Sequence, residues 1–451
     1  MNENKFQMPE IETTNFPQRE LNIKDFGAIG NGQHNDTEAI NKAIESCCEA
    51  GGGTVVIPRG IYLTGPIHMR SHINLHVEQG AIVTFSKNYL DYPLIVTNYE
   101  GYESVRCTSP IMAWNLENVA ITGDGIFDGS GEVWRPVKKF KTTEKQWNEI
   151  IKAGGMIEEG KEEIWWPTEK AYEGKEFDKR MGGKCKSVEV CESFREFFRP
   201  VLLSFVNCKK VLLDGPTFQN SPAWCLHPRL CENVIIKNIK VRNSWLSQNG
   251  DGIDIESCKY VTLSHSTFDV GDDAICIKSG KNEEGRRLGK PSEYISIKDC
   301  TVYHGHGGVV IGSEMSGGVY NIEVARCTFI GTDTGLRFKS CRGRGGVVKD
   351  IFIDGIDMKD IGNEAITFST SYNIHTKSLV DSTPEDIPEF KDFYIKNINC
   401  VGAKIGIHIS GLPEMYISNI HFNNIAMKVE KAIFKENTKD IFMDDVEIVE
   451  S

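Results

Sequence analysis

Four things are missing from this 451-residue chain, and each absence excludes something. No run of 18 apolar residues occurs, so no membrane-crossing helix is expected. Met1 to Glu20 is polar and carries acids, with neither the apolar stretch nor the small-residue cleavage site of an export signal. The expectation is a soluble, cytoplasmic protein. No two of the fourteen cysteines form a C-x-x-C pair, which leaves a zinc site little support. Without a secretory context they are expected as free thiols buried like small hydrophobes. Positive charge is also in short supply: 51 Lys and Arg against 63 Asp and Glu give a net charge of −12. That argues against nucleic acid or an anionic membrane as partner. An acidic substrate stays open, because the field inside a cleft can oppose the overall sign.

The chain does have repetition, which is the first thing to look for in a sequence of this length. Leu116-Glu117-Asn118-Val119, Asn207-Cys208-Lys209-Lys210-Val211, Cys231-Glu232-Asn233-Val234 and Ser257-Cys258-Lys259-Tyr260-Val261 are versions of one turn leading into one strand. A second turn and a third short run follow, as in Gly252-Ile253-Asp254-Ile255 and Ala274-Ile275-Cys276-Ile277. Related units continue through Ile295–Cys300, Ile351–Gly355, Phe393–Asn397 and Met415–Asn419. Three strands per coil with asparagine-rich corners predict an all-β chain folded as a right-handed parallel β-helix. A leucine-rich horseshoe is the plain competitor, but its Leu-x-x-Leu-x-Leu frame is absent. Residues 1–20 read as a polar tail and 21–451 as one domain. Asp36 to Glu49 reads as an amphipathic helix with Asp36 as N-cap, closing the open end of the solenoid core. About 134–200 is an insertion, rich in Lys, Glu and Trp and partly helical in pattern. Such an excursion either borders a binding face or only shields a strand edge.

The polar strings that stand out lie in or beside these runs: Asn249-Gly250-Asp251-Gly252, Gly271-Asp272-Asp273, Gly305-His306-Gly307, Ser313-Glu314 and Arg337-Phe338-Lys339. Alone, each is as ordinary as a solvated turn or a surface pair. Spacing is what joins them. Asp251 and Asp272 are 21 residues apart and His306 is 33 beyond Asp273, each about one coil, so the side chains form a column on one face. Glycosidic hydrolysis needs one carboxyl as acid and a second to activate water or attack carbon. Crowded carboxyls push their pKa values apart, so one stays protonated while its neighbours ionise. Parity sets a condition: Asp273 shares it with the inward Ile275 and Ile277, so it reaches the cleft only if Gly271 bends the strand. Asp251, between Gly250 and Gly252, needs the same help. Arg337 and Lys339 flank an inward Phe338 and project together, a clamp for a carboxylate. Glu314, and Lys278 at the parity of Asp272, are further candidates for the cleft.

In this arrangement the chain resembles glycoside hydrolase family 28, the polygalacturonases. The likeness runs from Leu21-Asn22-Ile23-Lys24-Asp25-Phe26-Gly27-Ala28, an opening signature of pectinase-type (pectin lyase-like) β-helices, to the last coils. The family's Asn-x-Asp, Gly-Asp-Asp, Gly-His-Gly and Arg-x-Lys motifs stand here in order. The resemblance implies Asp272 as the proton donor, Asp251 and Asp273 as water activators, and inversion at the anomeric carbon. His306 would support the acid or bind substrate, and Arg337 and Lys339 would hold a galacturonate carboxylate. Asn249, Lys278 and Glu314 would complete the substrate-binding set. No metal and no organic cofactor is implied. Asn220-Ser221-Pro222-Ala223-Trp224 and Ile311-Gly312-Ser313-Glu314 look like the bacterial exo-acting branch, whose substrates would be imported oligogalacturonides. The common Asn-Thr-Asp is Asn249-Gly250-Asp251 here, a departure that keeps the acid. Three rivals remain: a rhamnogalacturonan-directed hydrolase, a calcium-dependent pectate lyase, and a carbohydrate-binding β-helix without catalysis.

Overall fold

Short strand follows short strand along this chain, and each finds its hydrogen-bond partner one coil further on. The computed structural model describes residues 6–372 and 383–450. Among them, one face of the solenoid is an eleven-stranded sheet whose centre runs Leu226–Arg229, Ile253–Glu256, Asp273–Lys278, Gly307–Ile311, Leu336–Lys339 and Glu364–Ser369. These neighbours pair in parallel, with Ile253 beside Ile275, Ile275 beside Val309 and Val309 beside Leu336. The other strands of the solenoid form a twenty-one-stranded parallel network around the remaining faces. The expected right-handed parallel β-helix is therefore the fold.

The corners explain the asparagines. Asn118, Asn233, Asn321 and Asn419 occupy the same position in four different coils, with φ between 54° and 58°. Asparagine tolerates that left-handed geometry better than most side chains. Tyr260 and Tyr294 take the same position with φ of 58° and 55°, and their rings lie 5.6 Å apart. Stacking there offsets part of the backbone cost.

Inward residues from all the coils make one continuous core, with phenylalanines stacked from coil to coil, as in Phe127 on Phe218. Helix α1 (Thr37–Glu49) closes its end by burying Ala39, Ile40, Ala43, Ile44 and Cys47. The capping role expected of Asp36 is not what its side chain does. Its fully buried carboxylate accepts from the backbone N–H groups of Ile29 (2.8 Å) and Gly30 (3.1 Å) and contacts His34 Nδ1, tying the preceding loop instead. Residues 12–15 of the polar tail lie along the solenoid, where the Asn15 N–H donates to Asn118 and that of Glu12 to Asn233.

The insertion folds onto the solenoid with helices α2 (Glu144–Lys152) and α3 (Glu169–Arg180) and a small antiparallel sheet centred on Ile164–Trp166. A second excursion went unanticipated: the antiparallel hairpin of Leu94–Tyr99 and Tyr102–Cys107. Hairpin and insertion share a core of Leu94, Val105, Cys107, Trp134, Phe177 and Phe198, separate from that of the solenoid. Fourteen free cysteines are found, thirteen of them buried.

Candidate active site

The six central coils of the eleven-stranded sheet start with two consecutive inward residues, the first of them small. Cys225-Leu226, Ala274-Ile275 and Ala365-Ile366 all lie in the core. A Cβ on Gly252, Gly308 or Gly335 would press on the core side chains of Phe268, Phe329 or Met358. Two inward residues in a row reset the alternation, so the residue before them faces out. That residue is Asp251 in one coil, Asp273 in the next and Gly307 in the third. The bend that frees Asp273 thus lies after it, at Ala274, and not at Gly271 as parity suggested. Gly250 and Gly271 are not among the residues of positive φ; a Cβ on either would clash with Ser247 Oγ. The register also corrects the column. Pairing of Ile253 with Ile275 sets Asp251 beside Asp273, while Asp272 meets His306, whose N–H donates to the Asp272 carbonyl at 2.9 Å.

Asp251, Asp272 and Asp273 each bring one carboxylate oxygen to within 4.8 Å of the other two. Asp273 is anchored most firmly: Lys339 Nζ lies 2.7 Å from its Oδ2 and Arg337 Nη1 3.3 Å from its Oδ1. The two cations project on either side of inward Phe338, as expected, and both engage this carboxylate. His306 Nδ1 lies 3.1 Å from Asp272 Oδ1. Lys278 and Glu314 pair with one another at 3.2 Å, and Lys278 also stands 3.5 Å from Asp254. Asn249 accepts from Arg199 Nη2 at 2.9 Å. All nine expected residues therefore gather on neighbouring coils, with Asn249, Lys278 and Glu314 committed to neighbours that hold the wall of the cleft.

The charges sort the acids. Burial, then the nearby Asp254, Asp272 and Asp273, pushes Asp251 well above the usual carboxylate range, while Lys278 opposes them. Burial also works against ionisation of Asp272, but close His306 and the Lys339 and Lys141 charges outweigh it and lower its pKa. Asp273 is lowered too, Lys339 and Arg337 overcoming its burial. These surroundings favour the protonated form at Asp251 and the ionised form at Asp272. Glu314 is held ionised against its burial by Lys278, Lys281 and Arg344.

The sequence model described as "Glycosyl hydrolases family 28" matches residues 173–388, and one described as "Rhamnogalacturonase A/epimerase, pectate lyase-like" matches residues 21–140. A crystal structure of a hyperthermoactive exopolygalacturonase from Thermotoga maritima aligns over 96% of this chain and 94% of that one, with 33% identity and a TM-score of 0.81. The chain belongs to glycosyl hydrolase family 28. An exo-poly-alpha-D-galacturonosidase of Dickeya chrysanthemi is 26% identical over 92% of this chain and 68% of its own length. A probable polygalacturonase of Vitis vinifera is 27% identical over 90% and 73%.

Within family 28 the departure at Gly250 has a steric cause, since the threonine common there would collide with Ser247. Other residues at the site carry no motif and went unnoticed. Lys141, at the end of the Lys138-Lys139-Phe140-Lys141 run of the insertion, donates to the Gly271 carbonyl (3.2 Å) and comes within 3.4 Å of His306 Nε2. A lysine run usually reads as a solvated face, so only the fold could reveal this contact. Tyr372 stands over Lys339 and Arg337, 5.2 and 5.6 Å from its ring centre. Asp254 is fully buried beside Lys278, and neither of its carboxylate oxygens has a hydrogen-bond partner among the described residues.

Proposed function

We propose that this chain hydrolyses the α-1,4-galacturonosidic bonds of oligogalacturonides one chain end at a time, from the non-reducing end. The observation that carries the reading is the three-acid cluster braced by Arg337 and Lys339. It stands in a chain similar over nearly its whole length to the Thermotoga maritima exopolygalacturonase. Carboxylates alone serve many glycosidases. A cation pair beside them, Lys339 buried and Arg337 partly so, selects a substrate that carries its own negative charge.

Asp272 is the proton donor in this reading, with Asp251 and Asp273 activating the water. The charges around Asp272 lower its pKa, so the acid role requires substrate to favour its protonated form. A galacturonate carboxylate drawn to Arg337 and Lys339 adds negative charge beside Asp272 and engages the cations that lower its pKa. His306 then orients the acid. The nearest oxygens of the cluster are closer than the roughly 6.5–9.5 Å usual for the acid and base of inverting enzymes. That spacing is nearer the retaining range, so inversion here requires the water to lie over the wall that carries all three acids; inversion of the α-linkage then gives a β-anomeric product.

The fourteen free thiols favour a reducing compartment, and we place the enzyme in the cytoplasm, acting on imported oligosaccharides. A short oligogalacturonide series, with the first product identified by chromatography and its anomer by proton NMR, tests the function. A mono- or disaccharide from the first turnover, initially the β-anomer, is expected. Rapid loss of polygalacturonate viscosity with few new reducing ends would sink exo action. Ultraviolet-absorbing products, or activity lost on adding chelator, would point to a lyase. Asp272→Asn should abolish turnover while retaining ligand binding, which a carbohydrate-binding module would not show.

A further inference from the structure

The hairpin that stands on the solenoid has two faces, and only one of them looks into the cleft. Tyr99 pairs with Tyr102 across it, and with Asn249 these two line the end of the cleft. Asn98 pairs with Glu103 and, one residue on from that tyrosine pair, lies on the opposite face. Behind that face is a pocket of about 410 Å³, bounded by Arg229 of the strand Leu226–Arg229 and by the short helix Asn282–Leu288. Its size is in the range of small-ligand sites. The tip of the hairpin separates it from the cleft, for a Cβ on Gly101 would come 2.6 Å from the Lys281 Cβ, so the two backbones pack together there.

The charges of this pocket do not cancel. Each of its two acids is held by a lysine, Glu103 by Lys186 and Glu284 by Lys184 at 3.1 Å. Arg229 and Arg287 are left over. Arg287 is exposed at the rim and makes no ion pair among the described residues. Arg229 is the stronger signal. Its side chain is only 15% exposed, yet none of its N–H groups makes a hydrogen bond among the described residues, the buried Nε included. Glu256 Oε1 stands 3.6 Å from that Nε, while the other oxygen of Glu256 is taken by His227 at 2.8 Å. A guanidinium presents a rigid fork of donors, and burying most of it with those donors unmet is costly. A carboxylate or phosphate group matches the fork and the charge together. Asn98 adds a buried amide oxygen that has no partner either, an acceptor for a ligand hydroxyl.

We infer that this pocket is a second ligand site, separate from the acids, which binds a small hydroxylated oxyanion with Arg229 as its main partner and Arg287 at its rim. A free sugar acid and phosphate share that chemistry. The inference does not depend on the proposed hydrolysis, because no residue of the acid cluster or of the cation clamp lines the pocket.

Calorimetric titration of the full-length protein with inorganic phosphate and with galacturonic acid tests this, galactose being the neutral control. At least one of the two anions should bind at millimolar concentration, and the tighter one identifies the source of the oxyanion. Arg229→Gln should weaken that binding roughly tenfold or more, the scale of one charge-assisted contact, and Arg229→Lys should recover part of it. Arg287→Gln should weaken it several-fold; Arg287 is exposed, so this variant keeps the fold and decides the matter if Arg229→Gln does not. The clamp at Arg337 and Lys339 is the competing anion site, so Lys339→Met is titrated in parallel and should keep the pocket's share of the binding. Anion binding that disappears in Lys339→Met and is unchanged in both arginine variants would overturn the inference. So would a wild type that binds neither anion, or that binds galactose equally well. A protein that cleaves no galacturonide would lose the proposed function, and the titrations would still decide the pocket.

Discussion

Removing Lys339 tests most directly how the acid cluster is held. Its amine lies 2.7 Å from Asp273 Oδ2, and both side chains are more than nine-tenths buried. At an effective dielectric near 20, charges that close attract by about 6 kcal/mol, much of it offset by the cost of taking both out of water. Losing one partner of a buried pair costs roughly 3–5 kcal/mol, because the other charge is stranded. Arg337, 3.3 Å from the other oxygen, takes up part of the loss. Lys339→Met should therefore destabilise by about 2–3 kcal/mol. Asp273→Asn should cost a similar amount by stranding Lys339, and the double variant little more than either, leaving a coupling energy of about 2 kcal/mol. Equilibrium urea unfolding of the four proteins, followed by the fluorescence of their seven tryptophans, measures it. The sign with pH follows from both partners. Asp273 is lowered in the fold, so its contribution is present above the unfolded aspartate value near 3.9 and is lost as pH falls through the still lower folded value. Lys339 is raised, Asp273 outweighing the effect of burial, so its contribution is complete below about 10.4 and fades only as pH rises through the higher folded value. The coupling should hold steady between about pH 5 and 9. Additive single variants at pH 7, within about 0.5 kcal/mol, would refute the claim that Lys339 keeps Asp273 ionised.

Two further outcomes follow from contacts that carry no motif. Lys141→Met removes a donor from His306, which orients the acid; kcat should fall roughly tenfold or more, the scale of one charged hydrogen bond, with KM changing less, while loss of a charge that lowers Asp272 moves the pH–rate profile upward. Lys141→Arg should restore part of the rate, and an unchanged pH–rate profile in Lys141→Met would show that the lysine acts only on the packing of the insertion. Gly308→Ala pushes a methyl to 2.7 Å from the Phe329 ring, an overpacking that should cost about 1–3 kcal/mol in urea unfolding. An unaffected midpoint would mean that the small first residue of each coil is incidental to the bend.

The solenoid was legible because its rule is local. Each coil repeats a turn, an apolar run and a second turn, and a period-two pattern says which side chains fill the core. The acids were legible for a different reason, since short motifs one coil apart must end on one face. What parity could not show was the doubled inward step at Ala274 and Ile275. Alanine beside isoleucine reads as ordinary alternation on either face, and only stacking against Cys225, Gly252 and Gly308 reveals the shared bend. A one-residue difference in coil length also moved the partner of Asp251 from Asp272 to Asp273. Coils of unequal length fix neighbours by hydrogen-bond register, and counting residues does not recover that register.

The surroundings of the acids were hidden for a reason that spacing cannot remedy. Lys141 and Arg199 come from an excursion with no repeat of its own, and each meets the coils through contacts that only tertiary packing sets. Repetition places the chemistry common to the family, because every coil must obey it. The excursions answer to no such rule, so they are free to vary without disturbing the core. Hairpin and insertion pack on each other through a core separate from that of the solenoid, so their walls can change while the acids stay in register. A chain that keeps Asp251, Asp272 and Asp273 in place can therefore alter the walls around them and leave the acids to the coils.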